Sequence, residues 1–78
     1  MSRTKQGEHD RGEQDAAEGR GTSPYVVGGD ELRQSYFEGY YKVVGEKHAT
    51  ENRGRVSYSG EDGDVKTDAF NAGYDGAK

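Results

Sequence analysis

The side chains of this 78-residue chain that exchange protons near neutral pH are two histidines, His9 and His48. A hydrolytic triad needs a nucleophile, a base and an orienting group close together. His9 stands beside Asp10 in the first turn of a predicted helix and His48 at the end of another, so both read as solvent-facing or capping groups. The chain has no cysteine, which excludes disulfides, thiolate nucleophiles and thiolate metal sites, and two histidines alone make a poor zinc site. The run Asp62-Gly-Asp64-Val-Lys66-Thr-Asp68 alternates oxygen donors like part of a calcium loop. Lys66 nevertheless occupies a ligand position, and the glycine and terminal glutamate of such a loop are out of place. The segment Gly60 to Asp64 lacks the glycine spacing and the Lys-Ser or Lys-Thr end of a phosphate loop. No catalytic residue, cofactor-binding residue or metal ligand is assigned, no cofactor is expected, and the chain reads as a binding protein and not an enzyme.

The residue types that stand out are tyrosine and arginine. Six tyrosines exceed what so small a core can bury, and tyrosine is enriched at interfaces. The candidate interface is Tyr25, Tyr36, Phe37, Tyr40, Tyr41 and Tyr74, facing a protein partner or a second copy of the chain. The alternative is RNA binding through Arg11, Arg20, Arg33, Arg53 and Arg55, with an exposed tyrosine stacking on bases. An arginine cluster on one face with an aromatic among its members favours RNA. An apolar aromatic patch rimmed by Glu and Asp favours protein. The net charge of -4, from 11 Lys and Arg against 15 Asp and Glu, lacks the phosphate-neutralising excess of a bulk nucleic-acid binder, and DNA is not expected as a partner.

The elements that must position these residues are helical. Hydrophobic residues make up 28% of the chain and the mean hydropathy is -1.24, so a core must be thin and tyrosine-rich. No stretch approaches the roughly 20 apolar residues of a membrane span, and the first 15 residues contain no apolar run of the signal-peptide kind, so the expected location is cytoplasmic and no membrane partner is expected. Residues 1–7 read as a disordered N-terminus, 8–50 as a helix-loop-helix domain and 51–78 as an extension. In the first predicted helix, over 8–20, Gly12, Ala16 and Gly19 share a face small enough to let another backbone come close. Pro24 and Tyr25 lie in the connector. Asp30 is the predicted N-cap of a helix reaching about Lys47, with Leu32, Tyr36, Tyr40 and Val43 in one stripe and Gly39 inside it. Residues 55–67 read either as a small β-hairpin or as a loose loop, and Phe70 and Tyr74 mark a short last helix. The fold class is mainly all-α.

The first two helices resemble the ribosome modulation factor family, small bacterial proteins of two helices joined by a loop. The residues that carry the resemblance are His9, Gly12, Ala16, Gly19 and Arg20, then the Pro24-Tyr25 pair, then the aromatic-x-x-Gly-aromatic step of Tyr36, Gly39 and Tyr40, with Tyr for the family's usual Trp. They span residues 9–47. The resemblance implies a two-helix unit of that kind, here with a C-terminal extension, and binding to the small ribosomal subunit through ribosomal RNA with formation of inactive ribosome dimers. The family fold also occurs in small proteins of phages and mobile elements whose roles are not established. Ala69 to Ala77 reads either as a partial second copy of the first helix, with glycines in its small-residue register, or as an added helix packing where a neighbour would otherwise sit.

Overall fold

The protein, described by a computed structural model over residues 4–22 and 29–77, forms three helices: α1 (Lys5–Ala17), α2 (Asp30–Thr50) and α3 (Gly63–Gly76). Thr4 starts α1 as its N-cap, its hydroxyl accepting the Gly7 amide at 3.0 Å. Residues 5–7 therefore belong to the helix, where the sequence suggested a disordered end. Helix α1 runs unbroken through Gly12 and stops at Ala17, short of the expected 20. In α2 the N-cap is Gly29 and Asp30 is the first helical residue, where its charge, with that of Glu31, meets the positive end of the helix dipole. Lys47 and His48 occupy the last turn of α2, which runs on to Thr50.

Among the described residues there is no strand, and the hairpin reading of 55–67 is corrected. The turn-rich segment before Gly63 serves as a helix entry. Asp62 adopts a left-handed conformation (φ 61°) and is the N-cap of α3. Val56 and Tyr58 alternate as in a strand, yet Tyr58 finds its backbone partner in a side chain. Its amide donates to the Thr67 hydroxyl at 2.9 Å, and the same hydroxyl lies 3.3 Å from the Tyr58 carbonyl.

Helices α1 and α3 each pack on α2 and not on one another. Both contacts are backbone crossings made by glycine. A Cβ on Gly12 would overlap the Tyr36 carbonyl and stand 2.9 Å from the Tyr40 amide nitrogen. From the other side, a Cβ on Gly39 would overlap the carbonyl of His9. The second crossing repeats the first. A Cβ on Gly45 would overlap the Phe70 carbonyl and stand 2.9 Å from the Tyr74 nitrogen, and one on Gly73 would overlap the carbonyl of Lys42. The small-residue face expected of α1 is thus present at Gly12 and Ala16, both buried, and at Gly39 opposite. Gly19 is not part of it: it is exposed, with open space around it.

The two crossings are an internal repeat. His9, Gly12, Asp15, Ala16, Gly19 and Arg20 are each followed 33 positions later by Lys42, Gly45, His48, Ala49, Asn52 and Arg53. Tyr36, Gly39 and Tyr40 are followed 34 positions later by Phe70, Gly73 and Tyr74. Helix α3 therefore repeats the first half of α2, and α1 is repeated by the second half of α2. This replaces the sequence reading of α3 as a copy of α1. The helix ends match as well. After α1, Gly19 (φ 76°) turns left-handed, with Gly19 N–H donating to Ala16 at 3.1 Å and Arg20 N–H to Asp15 at 2.8 Å. After α2, Asn52 (φ 59°) does the same, its N–H donating to Ala49 at 3.2 Å and that of Arg53 to His48 at 2.8 Å. These are paired Schellman caps, which turn the chain sharply and satisfy the last helical carbonyls. Each is tied down by an equivalent tyrosine: Tyr40 donates to the Arg20 carbonyl at 2.6 Å, and Tyr74 to the Arg53 carbonyl at 2.9 Å.

The core follows from the repeat. Among the described residues, Tyr36 and Phe70, equivalent in the repeat, are the two large side chains buried completely, at 0% exposure each, and Ala16 and Ala69 are buried as well. Burying one such ring contributes about 1.5–3 kcal/mol. The Tyr36 hydroxyl enters the core with a partner, donating to the Asp15 carboxylate at 2.6 Å. Phe70 has no hydroxyl, and His48, the equivalent of Asp15, instead meets the ring edge-on with centroids 5.1 Å apart.

Candidate interaction surface

Helix α2 carries both crossings, so each of its faces is assigned by register. At about 100° per residue, Gly39 and Tyr36 face α1, and Gly45, about 120° round the helix from Gly39, faces α3. Between these contacts α2 leaves two open sides. One carries Phe37, Tyr40, Tyr41 and Val44, the other Ser35, Glu38 and Lys42.

The first side is aromatic. Tyr41 packs edge-on against Tyr58 with centroids 4.6 Å apart, against Tyr40 at 5.1 Å and beside Phe37 at 5.9 Å. All four rings are partly exposed. The ammonium of Lys66 from α3 lies over Phe37 at 4.8 Å and near Tyr41 at 5.8 Å. Burial pushes the Tyr41 and Tyr58 hydroxyls above their ordinary range, and neighbouring tyrosines add to the effect. Burial also raises Tyr40, with a smaller contribution from Asp15.

One edge of this patch is a network of paired charges. Arg33 donates to Asp62 at 2.7 Å and to Glu61 at 3.2 Å, and pairs with Asp30 at 3.1 Å. The hydrogen bond from Arg33 holds Asp62 below the usual carboxylate range. Arg33, Phe37 and Lys66 frame a shallow cavity of about 250 Å³ with Glu61 and Asp62. Arg33 joins the start of α2 to the start of α3.

Of the six expected interface residues, Phe37, Tyr40 and Tyr41 share this surface. Tyr36 does not: it is a core residue with no exposed area. Tyr74 lies on α3, its hydroxyl committed to Arg53 and its ring under Arg55, whose guanidinium is 4.5 Å from the centroid. Tyr25 lies outside the described residues. The sequence reading missed Tyr58, and the repeat was the signal for it, since Tyr58 stands 33 positions after Tyr25.

The five arginines offered as RNA contacts do not form one cluster. Arg11 sits on α1 near Glu8 (3.7 Å) and over Tyr36, while Arg33 is held by its three carboxylates. Arg55 binds Asn71 at 3.0 Å and also pairs with Asp75. Arg20 and Arg53, which are equivalent in the repeat, do come together. With Lys47, His48 and Tyr40 they line a cavity of about 220 Å³ between the two caps. Lys47 is committed there to the Ala16 and Ala17 carbonyls. Arg20 pairs with Glu18 at 3.4 Å and Arg53 with Glu51 at 3.6 Å, with the arginine side chains 68% and 62% exposed, so these pairs are weak.

For metal chemistry, His9, Asp10 and Glu13 bring donor atoms within 4.8 Å of one another on one turn of α1, with Asp10 exposed and the other two half-buried. His9 Nδ1 lies 3.9 Å from Asp10 and 3.7 Å from Glu13. The trio comes from one helix, and adjacent residues such as 9 and 10 point about 100° apart, an arrangement common on solvated helices. Among the described residues no helix is long and apolar enough to cross a membrane. No protein-family model, curated protein or solved structure matches the chain.

Proposed function

We propose that the chain is a small regulatory binding protein of the cytoplasm that offers Phe37, Tyr40, Tyr41 and Tyr58 to a protein partner. The observation that carries this reading is the continuous, partly exposed cluster of four rings on one side of α2, bordered by Glu61 and Asp62. Rings of this kind bring large contact area at low entropic cost, and hydroxyls half out of water complete hydrogen bonds on docking. No reaction is assigned to the surface.

The test is a double substitution, Phe37→Ser with Tyr41→Ser. Binding to the partner recovered from the host lysate should fall at least tenfold in the variant, with helicity retained at the temperature of the assay. Undiminished capture by the folded variant would refute the reading. Light scattering on the purified protein distinguishes a heterologous partner from a second copy, which would give a mass above 8.5 kDa.

A second reading, ribosome association through RNA, has its own support. The described residues that resemble the ribosome modulation factor family, namely His9, Gly12, Ala16, Gly19, Arg20, Tyr36, Gly39 and Tyr40, converge on one helix crossing and its cap. Arg20, Arg53 and Tyr40 line one cavity, a small cationic and aromatic site. Against it stands the net charge of -4. Co-sedimentation with small ribosomal subunits at low salt, weakened by added salt and lost in Arg20→Ala with Arg53→Ala, is the expected outcome. Protein remaining at the top of a low-salt gradient removes this reading.

A further inference from the structure

The second open side of α2 is chemically unlike the aromatic one. Between α2 and α3, with His9 of α1 at its edge, runs a groove of about 350 Å³. Its α3 wall consists of Val65, Ala69 and Ala72, at helical spacing, so one strip of that wall is apolar and low. Its polar rim carries Glu38 from α2 and Asp68 from α3. The carboxylates of Glu38 and Asp68 form no ion pair or hydrogen bond with another described residue, in a chain whose arginines mostly have carboxylate partners. Lys42 is the cation of the α2 wall, so the groove sets two carboxylates against one ammonium and stays net negative.

We infer that this groove seats a basic, amphipathic helical segment of another protein. The small side chains of Ala69 and Ala72 admit the apolar stripe of such a helix, and the carboxylates on the two walls receive its lysines or arginines. Charge complementarity selects this occupant. The net charge of -4 opposes a second copy of the chain and an RNA strand alike. The inference does not rest on the aromatic surface, which lies roughly on the opposite side of α2.

The experiment uses the full chain and a synthetic peptide of about 15 residues, long enough to form a helix, made of leucine, alanine and lysine with lysines at i and i+4. Titration followed by amide chemical shifts should move Val65, Ala69 and Ala72 and leave Phe37 and Tyr41 in place. Affinity should fall with salt, and fall at least tenfold in the double variant Glu38→Lys with Asp68→Lys. Ala72→Trp, which fills the groove without changing charge, should abolish binding while leaving helicity intact. The Phe37→Ser, Tyr41→Ser variant should bind the peptide normally, so failure here is separable from failure of the aromatic reading. Three results overturn the inference: no binding at millimolar peptide, equal binding of the same peptide with glutamate for lysine, or undiminished binding by the charge-reversed variant.

Discussion

Gly45 lies so close beneath Phe70 that any side-chain carbon on it would overlap the Phe70 carbonyl oxygen. Helix propensity alone makes Gly45→Ala favourable by up to about 1 kcal/mol. The crossing reverses the sign, because the new methyl meets backbone that can move only by pulling α3 off α2. We expect a net loss of about 3 kcal/mol, at the upper end for overpacking, which approaches the whole stability of so small a domain. Gly73→Ala should behave alike, since its Cβ would overlap the Lys42 carbonyl. Gly76→Ala, one turn further along α3 with open space around it, should stabilise slightly. Urea unfolding of the three variants decides the matter.

The physics of these crossings explains what the sequence showed and what it hid. Helix α2 was legible because Leu32, Tyr36, Tyr40 and Val43 recur at helical spacing, and Gly39 was legible as a close approach because a glycine inside an apolar stripe weakens the helix without another reason, whereas Gly12 was marked only by sharing a small-residue face with Ala16 and Gly19. Gly45 lies outside that stripe and gave no such sign. The repeat was read in the wrong register because alanine and glycine match many alignments. The aromatic-x-x-Gly-aromatic step, present at Tyr36 and again at Phe70, fixes the correct one. Periodicity also could not say which tyrosine enters the core, since that depends on Asp15 waiting to accept the Tyr36 hydroxyl. For 55–67, alternation shows that a segment can lie extended but not that a second strand exists to pair with it.

Tyr36→Phe removes the bond to Asp15 and leaves the ring in place. A hydrogen bond to a charged acceptor is worth about 1.5–3 kcal/mol. Asp15 is only partly buried and regains water, so a loss near the lower value is expected. The equivalent residue Phe70 already lacks the hydroxyl, and the fold at that crossing relies on His48 against its ring. Thermal melting of Tyr36→Phe should therefore show a modest, cooperative loss. A drop as large as that of Tyr36→Ala, about 3–5 kcal/mol, would show that the ring itself had moved.

Arg55 fastens the segment between α2 and α3 by stacking on Tyr74 and bonding Asn71 and Asp75. The side chain is 43% exposed, so the contacts together amount to about 1 kcal/mol. Arg55→Ala should speed proteolysis near 53–59 with a small change in melting temperature. Arg55→Lys should restore little, because an ammonium cannot stack flat on the ring while reaching two acceptors.

The aromatic surface should report its own occupancy through its tyrosines. Tyr41 and Tyr58 hold their protons more tightly when folded because burial disfavours the phenolate. Folded values above unfolded ones contribute stability that is complete below about pH 10 and lost as pH rises through the folded values. Phenolate absorbance should show Tyr40, Tyr41 and Tyr58 titrating late, and a partner that docks on the patch should delay them further. Titration of all six tyrosines together in the folded protein would contradict the packing of Tyr41 against Tyr58.

At the acid end the Arg33–Asp62 pair sets the behaviour. Asp62 is only 9% exposed, and the hydrogen bond from Arg33 lowers its pKa, so the folded state favours the carboxylate more than the unfolded chain does. A lowered folded value contributes stability that is present above the unfolded value of about 4 and is lost as pH falls through the folded one. The native protein should therefore lose stability progressively below pH 4. In Asp62→Asn that portion of the acid loss should vanish, at the cost of lower stability at pH 7. Asparagine tolerates the left-handed backbone that Asp62 adopts, so the substitution tests the charge and not the turn. Matched acid-melting curves for the two proteins would detach Asp62 from Arg33 and with it the tie between the starts of α2 and α3.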